Sequence, residues 1–207
     1  MIIGISGKAG AGKDTVCKMI VYTLWYYNHS QRLKPFGIEH YNNTYERFGD
    51  VIDFTPHWYK TSFANKLKQC LSNILNVSIS KFEDNEFKKS EVEWLGITVR
   101  ELLQKFGTAI RNEVSDDFWV KACLNNLEKG DDYLITDVRF KSEAKGIKDL
   151  EGIIIRVNRE GAGAGNHISE VDLDDYNFDW IIDNNGSMED LLQKVKHFLI
   201  QCDLIQC

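Results

Sequence analysis

The chain has 207 residues, 43% hydrophobic and 12% aromatic, with 25 basic against 31 acidic side chains and a formal net charge of −6. A core of this size buries roughly 70% of the unfolded surface, so disorder is excluded and no disulfide or metal staple is needed. The acidic balance argues against a nucleic-acid partner, five cysteines without a CxxC pair suit reduced thiols in the cytoplasm, and the apolar run Met19 to Tyr27 is too short for a bilayer.

Met1-Ile-Ile-Gly-Ile-Ser6 is a short apolar run that leads into glycine-rich sequence, and it reads as a buried strand. From Lys13 to about Asn28 the chain reads as a helix, with Val16, Ile20, Leu24 and Tyr27 on one face. Residues 30–57 hold both prolines, Pro35 and Pro56, and no clear period, so they read as an irregular insertion. Trp58 to Phe63 suits a strand, and Ala64 to Leu75 has helical spacing through Leu67, Leu71 and Ile74. The polar stretch 76–96 reads as a connection.

A sharp helix start follows. Thr98-Val-Arg-Glu101 is a capping box, with Ile97 and Leu102 spaced as a hydrophobic staple, and the helix should reach about Asn112. Ser115 opens another through Trp119 and Cys123 to Glu128. Tyr133-Leu-Ile-Thr-Asp137 is a second strand, Ser142 to Leu150 a helix, and Gly152 to Val157 a third buried strand. Residues 159–170 are glycine-rich and loop-like. Asp179 to Asp183 is a further strand, and Ser187 caps a final helix with Leu191, Leu192, Val195, Phe198 and Leu199 at core spacing. Short apolar strands alternating with helices imply an α/β fold with a parallel sheet covered on both faces. The strand order is not legible in this pattern.

Three constellations carry chemistry. Gly7-Lys-Ala-Gly10-Ala11-Gly12-Lys13-Asp14-Thr15 joins the first strand to the first helix. It nearly matches GxxxxGK[ST], with Asp14 where Ser or Thr is usual. Such a loop turns successive N–H groups onto a phosphate at a helix N-terminus, and Lys13 can reach the outer phosphates. Asp14 suits Mg²⁺, held directly or through water, or simply favours the helix dipole. Second, Arg100, Gln104, Gly107, Thr108 and Arg111 form a stripe on the helix that begins after Thr98. Solvated stripes are common, but an interior glycine costs roughly 1 kcal/mol against alanine, so Gly107 hints at a close approach. Third, Asp137 and Arg139 follow a strand at its carboxyl end, where open α/β sheets bind ligands, with Glu143 about one turn beyond. An acid there can orient a metal-bound water or a hydroxyl, and the arginine fork can clamp phosphate; a salt-bridged loop is the plainer alternative.

With these residues in hand, the chain resembles the bacteriophage-type deoxynucleoside monophosphate kinases among the P-loop nucleotide kinases. The resemblance rests on Gly12-Lys13-Asp14-Thr15, on Arg100-x-x-x-Gln104-x-x-Gly107-Thr108 with Trp119, and on Asp137-x-Arg139-x-x-x-Glu143. Arg159 through His167-Ile-Ser-Glu170 resembles the lid, and Asp183-Asn-Asn-Gly-Ser187 the last strand-to-helix turn. The likeness spans residue 1 to about 200 apart from 30–57. The lid here is unusually glycine-rich, with Glu160 where proline would be unsurprising.

The resemblance implies a single three-layer P-loop kinase domain over 1–207, with a helical substrate part near 64–128 and a lid at 159–170. It implies transfer of the γ-phosphoryl of ATP to a deoxynucleoside monophosphate, with Mg²⁺. Gly10 to Thr15 would hold ATP, with Asp14 on the metal. Lys13, Arg100, Asp137, Arg139 and Arg159 would serve the transfer. Arg100, Gln104, Gly107, Thr108, Trp119, Asp137, Arg139 and Glu143 would line the substrate. A homodimer and the base preference stay open. The alternatives are a P-loop kinase for another small phosphorylated metabolite and a non-catalytic nucleotide switch. The switch would need a guanine-reading Asn-Lys-x-Asp, which the sequence lacks; Asp149-Leu-Glu-Gly152 imitates DxxG before the wrong strand.

Overall fold

A computed structural model describes residues 1–29, 35–49, 51–163 and 171–206. The expected lid therefore lies partly outside the described residues, from 164 to 170. The chain divides into two compact units, Met1–Thr61 with Glu128–Cys207, and Ser62–Leu127.

The first unit is built on five parallel strands. They are β1 (Ile2–Ser6), β2 (Trp58–Thr61), β5 (Asp132–Val138), β6 (Ile153–Asn158) and β7 (Trp180–Asp183), in the order β2-β5-β1-β6-β7. β1 is central and buried along its whole length, as a strand covered on both faces must be. Its side chains divide the layers. Ile3 and Ile5 join Leu134, Ile155 and Ile182 in one core with residues of α1 (Lys13–His29) and α8 (Met188–Gln201). Gly4 faces the other way. A Cβ there would come within 2.6 Å of Ile147 Cδ1, so the missing side chain lets α7 (Lys141–Asp149) lie close to the sheet.

The expected elements of this unit appear with ends within a residue or two, as fraying ends allow. The exception is the segment expected to be irregular, which contains α2 (Ile38–Phe48) and a 3₁₀ turn, Val51–Phe54. Ile38, Tyr41 and Tyr45 have helical spacing, but Asn42-Asn43-Thr44 are weak helix formers and mask it. The helix is secured by tertiary contacts: Glu189 accepts from the Ile38 N–H at 2.8 Å, and Tyr22 packs edge-on to Tyr41 at 5.3 Å.

The second unit holds α3 (Ala64–Leu75), α4 (Asn85–Lys89), the two-residue hairpin strands β3 (Glu91–Val92) and β4 (Ile97–Thr98), α5 (Val99–Glu113) and α6 (Phe118–Leu124). The polar connection of 76–96 is thus structured. Phe82 anchors it, fully buried in a cluster with Leu71, Val92 and Val99, and Asp84 caps α4 by accepting from Glu86 N–H at 2.9 Å. At α5 the expected capping box is present. Thr98 Oγ1 accepts from Glu101 N–H at 3.2 Å, and Glu101 Oε2 accepts from Thr98 N–H at 2.8 Å. The Thr98 N–H and the Thr98 hydroxyl, which also donates to Glu101 Oε2 at 2.8 Å, hold the Glu101 carboxyl below its ordinary pKa. Among the described residues no helix is long and apolar enough to cross a membrane.

Candidate active site

The glycine loop connects β1 to α1. Gly10 and Gly12 have φ of +79° and +96°, which L side chains rarely adopt, so the loop depends on glycine at both. Gly12 also has no room for a side chain, since its Cβ would fall 2.4 Å from Asn184 Nδ2. That amide donates to Ala11 O at 2.9 Å and fastens the loop to the turn after β7. Lys13 curls back over the loop and donates to Gly7 O at 2.7 Å and Lys8 O at 3.1 Å. Asp14 is exposed in the first turn of α1, where a carboxylate suits the helix dipole.

β5 delivers the acid. Ile5 of β1 pairs with Thr136, but Ser6 pairs with Val138, so Asp137 is an extra residue in a bulge. Its φ of +66° is left-handed, uncommon for any residue but glycine. Bulges re-aim side chains, and this one brings Asp137 Oδ1 to 3.4 Å from Lys13 Nζ. Oδ2 accepts from Arg139 Nε at 2.7 Å. Burial pushes the Asp137 carboxyl up, but Arg139 and then Lys13 outweigh it and leave the pKa below the usual carboxylate value. Oδ1 is buried and faces the Lys13 ammonium, and an oxygen with one such partner retains acceptor capacity.

Glu143 is buried, and its Oε2 accepts from the backbone N–H of Arg139 at 2.8 Å and of Phe140 at 3.1 Å. It caps α7 and fixes the chain that carries Arg139. Arg159, just beyond β6, lines a cavity of about 240 Å³ with Lys8, Ala11, Arg156 and Asn185.

The second unit has its own polar stripe. Arg100, Gln104 and Thr108 are exposed on α5. Gly107 is buried, and the neighbour that comes close is Leu67 of α3, 3.2 Å from where a Cβ would stand. Trp119 is 4% exposed, and its indole N–H donates to Gly107 O at 3.1 Å. The close approach inferred at Gly107 is therefore made by the protein itself. A packing role accounts for both residues.

Several residues of the site were not singled out as functional from sequence. Asn184 was noted only within its turn, and its partner lies 173 positions away. Arg156 had one signal, a charge inside the apolar run Ile153-Ile-Ile-Arg156-Val157. Its guanidinium, only 9% exposed as a residue, donates to Ser6 Oγ at 3.2 Å and to Asp174 Oδ1 at 3.1 Å.

Residues 50–195 match the family model of deoxynucleotide monophosphate kinases. A protein of Acanthamoeba polyphaga mimivirus that bears this name provisionally is 24% identical, across 94% of each chain. The deoxynucleotide monophosphate kinase of Enterobacteria phage T4 is 34% identical over 53% of this chain and 47% of its own. The deoxynucleoside-5′-monophosphate kinase of Escherichia phage T5 is 24% identical over 76% of this chain and 77% of its own.

Proposed function

The chain belongs to the deoxynucleotide monophosphate kinase family, and from that premise we propose that it moves the γ-phosphoryl of ATP onto the 5′-phosphate of a deoxynucleoside monophosphate. The observation that carries the reading is the meeting of loop and bulge. Lys13 stands at the N-terminus of α1, 3.4 Å from an Asp137 that also holds Arg139. Phosphoryl transfer asks a protein mainly to align two anions and neutralise charge, and this cluster supplies two cations whose positions one carboxylate fixes.

The glycine loop, from Gly10 to Thr15, takes the ATP phosphates on its backbone N–H groups. Lys13 leaves its loop carbonyls for the outer phosphates. Arg139 presents its planar fork to phosphate, steered by Asp137 and by the Glu143 cap. Arg159, just beyond β6, adds positive charge to the transfer. On the second unit Arg100, Gln104 and Thr108 contact the monophosphate substrate, while Trp119 and Gly107 hold α5 and α6 together beneath them.

Mg²⁺ fits this donor set. Asp14 is an exposed hard oxygen ligand beside the loop, and Asp137 Oδ1 has acceptor capacity to spare. Bound there by Asp14, Mg²⁺ would neutralise phosphate charge.

A coupled ADP-release assay across dAMP, dGMP, dCMP, dTMP and the ribose counterparts tests the proposal. Turnover with at least one deoxynucleotide is expected, and ATP consumption with none of them would overturn it.

A further inference from the structure

Lys8 has no assigned work in the site above, although it sits inside the phosphate-binding loop. Its ammonium donates to Asp174 Oδ2 at 3.0 Å. Its aliphatic stem lies against Gly163, where a Cβ would come within 2.6 Å of Lys8 Cδ. Gly163 in turn donates its N–H to Ala9 O at 3.0 Å and has a φ of +86°. One loop residue thus touches the chain on both sides of residues 164–170.

Asp174 is shared. Its other oxygen accepts from Arg156 NH2 at 3.1 Å, and Arg156 is held independently by Ser6 Oγ at 3.2 Å and by the Phe178 ring at 5.2 Å. The two cations differ in their freedom. Arg156 is fixed on three sides, with 11% of its side chain exposed, whereas the Lys8 side chain is 36% exposed and has one carboxylate partner among the described residues. A polyphosphate on the loop offers Lys8 a stronger anion than a single half-exposed carboxylate, and lysine behaves as a mobile point charge that can exchange partners.

We propose that Lys8 is an ATP-binding residue that exchanges Asp174 for the triphosphate when ATP binds, so that Asp174 competes with the nucleotide for this ammonium. The inference rests on the ATP-dependent reading of the loop. The exchange moves a charge and breaks no covalent bond. Lys8 thereby links nucleotide occupancy to the segment carrying Asp174, while Arg156 keeps that carboxylate anchored.

Calorimetric titration of the intact protein with ATP tests the exchange without relying on turnover. Asp174→Asn should tighten ATP binding about two- to fivefold, the scale of an exposed ion pair. Lys8→Met should weaken it by a similar factor. The two changes must be coupled: in a Lys8→Met background, Asp174→Asn should leave ATP affinity unchanged. Simple repulsion of ATP by Asp174, or capture of ATP by a released Arg156, would keep the gain in that background and overturn the proposal. Asp174→Glu should restore the wild-type affinity, which a general loosening of the fold would not. Thermal unfolding and dNMP binding, followed in parallel, should stay near wild type, and a loss of both would overturn the exchange. A wild-type protein that binds ATP tightly but shows no coupling sinks the exchange alone. One that binds no ATP sinks the kinase reading and the exchange with it.

Discussion

The two units present their polar groups in opposite ways. In the sheet unit the site residues are fastened to one another: Lys13 to two loop carbonyls, Arg139 to Asp137, and Asn184 to Ala11. In the helical unit the stripe Arg100, Gln104 and Thr108 stands exposed, above a Gly107–Trp119 contact that is buried. Phosphate chemistry is common to every nucleotide, so its groups can be set in advance. Arg139 and the loop amides, already in place, then lose little on binding, while Lys13 exchanges its carbonyls for phosphate. A surface that must fit one nucleoside has more use for adjustable side chains on a rigid support.

This contrast predicts that substitutions in the first region change turnover and those beneath the second change stability. The largest effect should be Trp119→Ala. Removing a buried indole costs about 3–5 kcal/mol, and denaturant unfolding should show it. Activity per folded molecule should fall equally on dGMP and GMP. A selective loss of the deoxy preference at unchanged stability would instead put the indole against the sugar.

Lys13→Ala should lower kcat by about 10²–10³-fold, the scale for one lost charge-stabilising donor. Its thermal unfolding should barely move, because the ammonium binds carbonyls of a loop shaped chiefly by glycines. Near-normal turnover in the folded variant would remove Lys13 from the reaction.

Arg139→Lys keeps the charge but loses the fork, and a charge-assisted hydrogen bond is worth about 1.5–3 kcal/mol. Turnover should drop about ten- to hundredfold. Unchanged kinetics for both substrates would reduce Arg139 to a partner of Asp137. Gln104→Ala should be milder, raising KM for the deoxynucleotide several-fold, as for one neutral hydrogen bond of about 1 kcal/mol, with KM for ATP constant. A reversed pattern would move the stripe to the ATP side.

The smallest effect concerns pH. The Asp137 pKa is depressed in the folded protein, so its ionised form adds stability above the unfolded pKa of about 3.9. That contribution is lost as pH falls through the folded value. Unfolding of Asp137→Asn should therefore depend less steeply on pH in acid than wild type. Parallel acid profiles would mean that Lys13 and Arg139 do not stabilise the carboxylate.

The strands, the capped helices and the glycine loop were legible because each is a local pattern. Ile runs mark covered strands, Thr98 and Glu101 close a box over four residues, and positive φ at Gly10 and Gly12 calls for glycine wherever the loop is placed. Asp137 and Arg139 were legible as a strand-end pair. The left-handed bulge that turns Asp137 toward Lys13 was not, because a bulge is set by register with β1, more than a hundred residues away. Helix α2 was hidden for a related reason, since its weak local propensity is overcome by Glu189 and the aromatic residues of α1. The close approach at Gly107 was legible from an interior helical glycine, but that Leu67 and Trp119 make it was not. The chain by itself determined which residues could make a phosphate site. Only the tertiary structure decided which of them are pinned, which are exposed, and that Lys8 and Arg156 share Asp174, because those facts depend on contacts between segments distant in sequence.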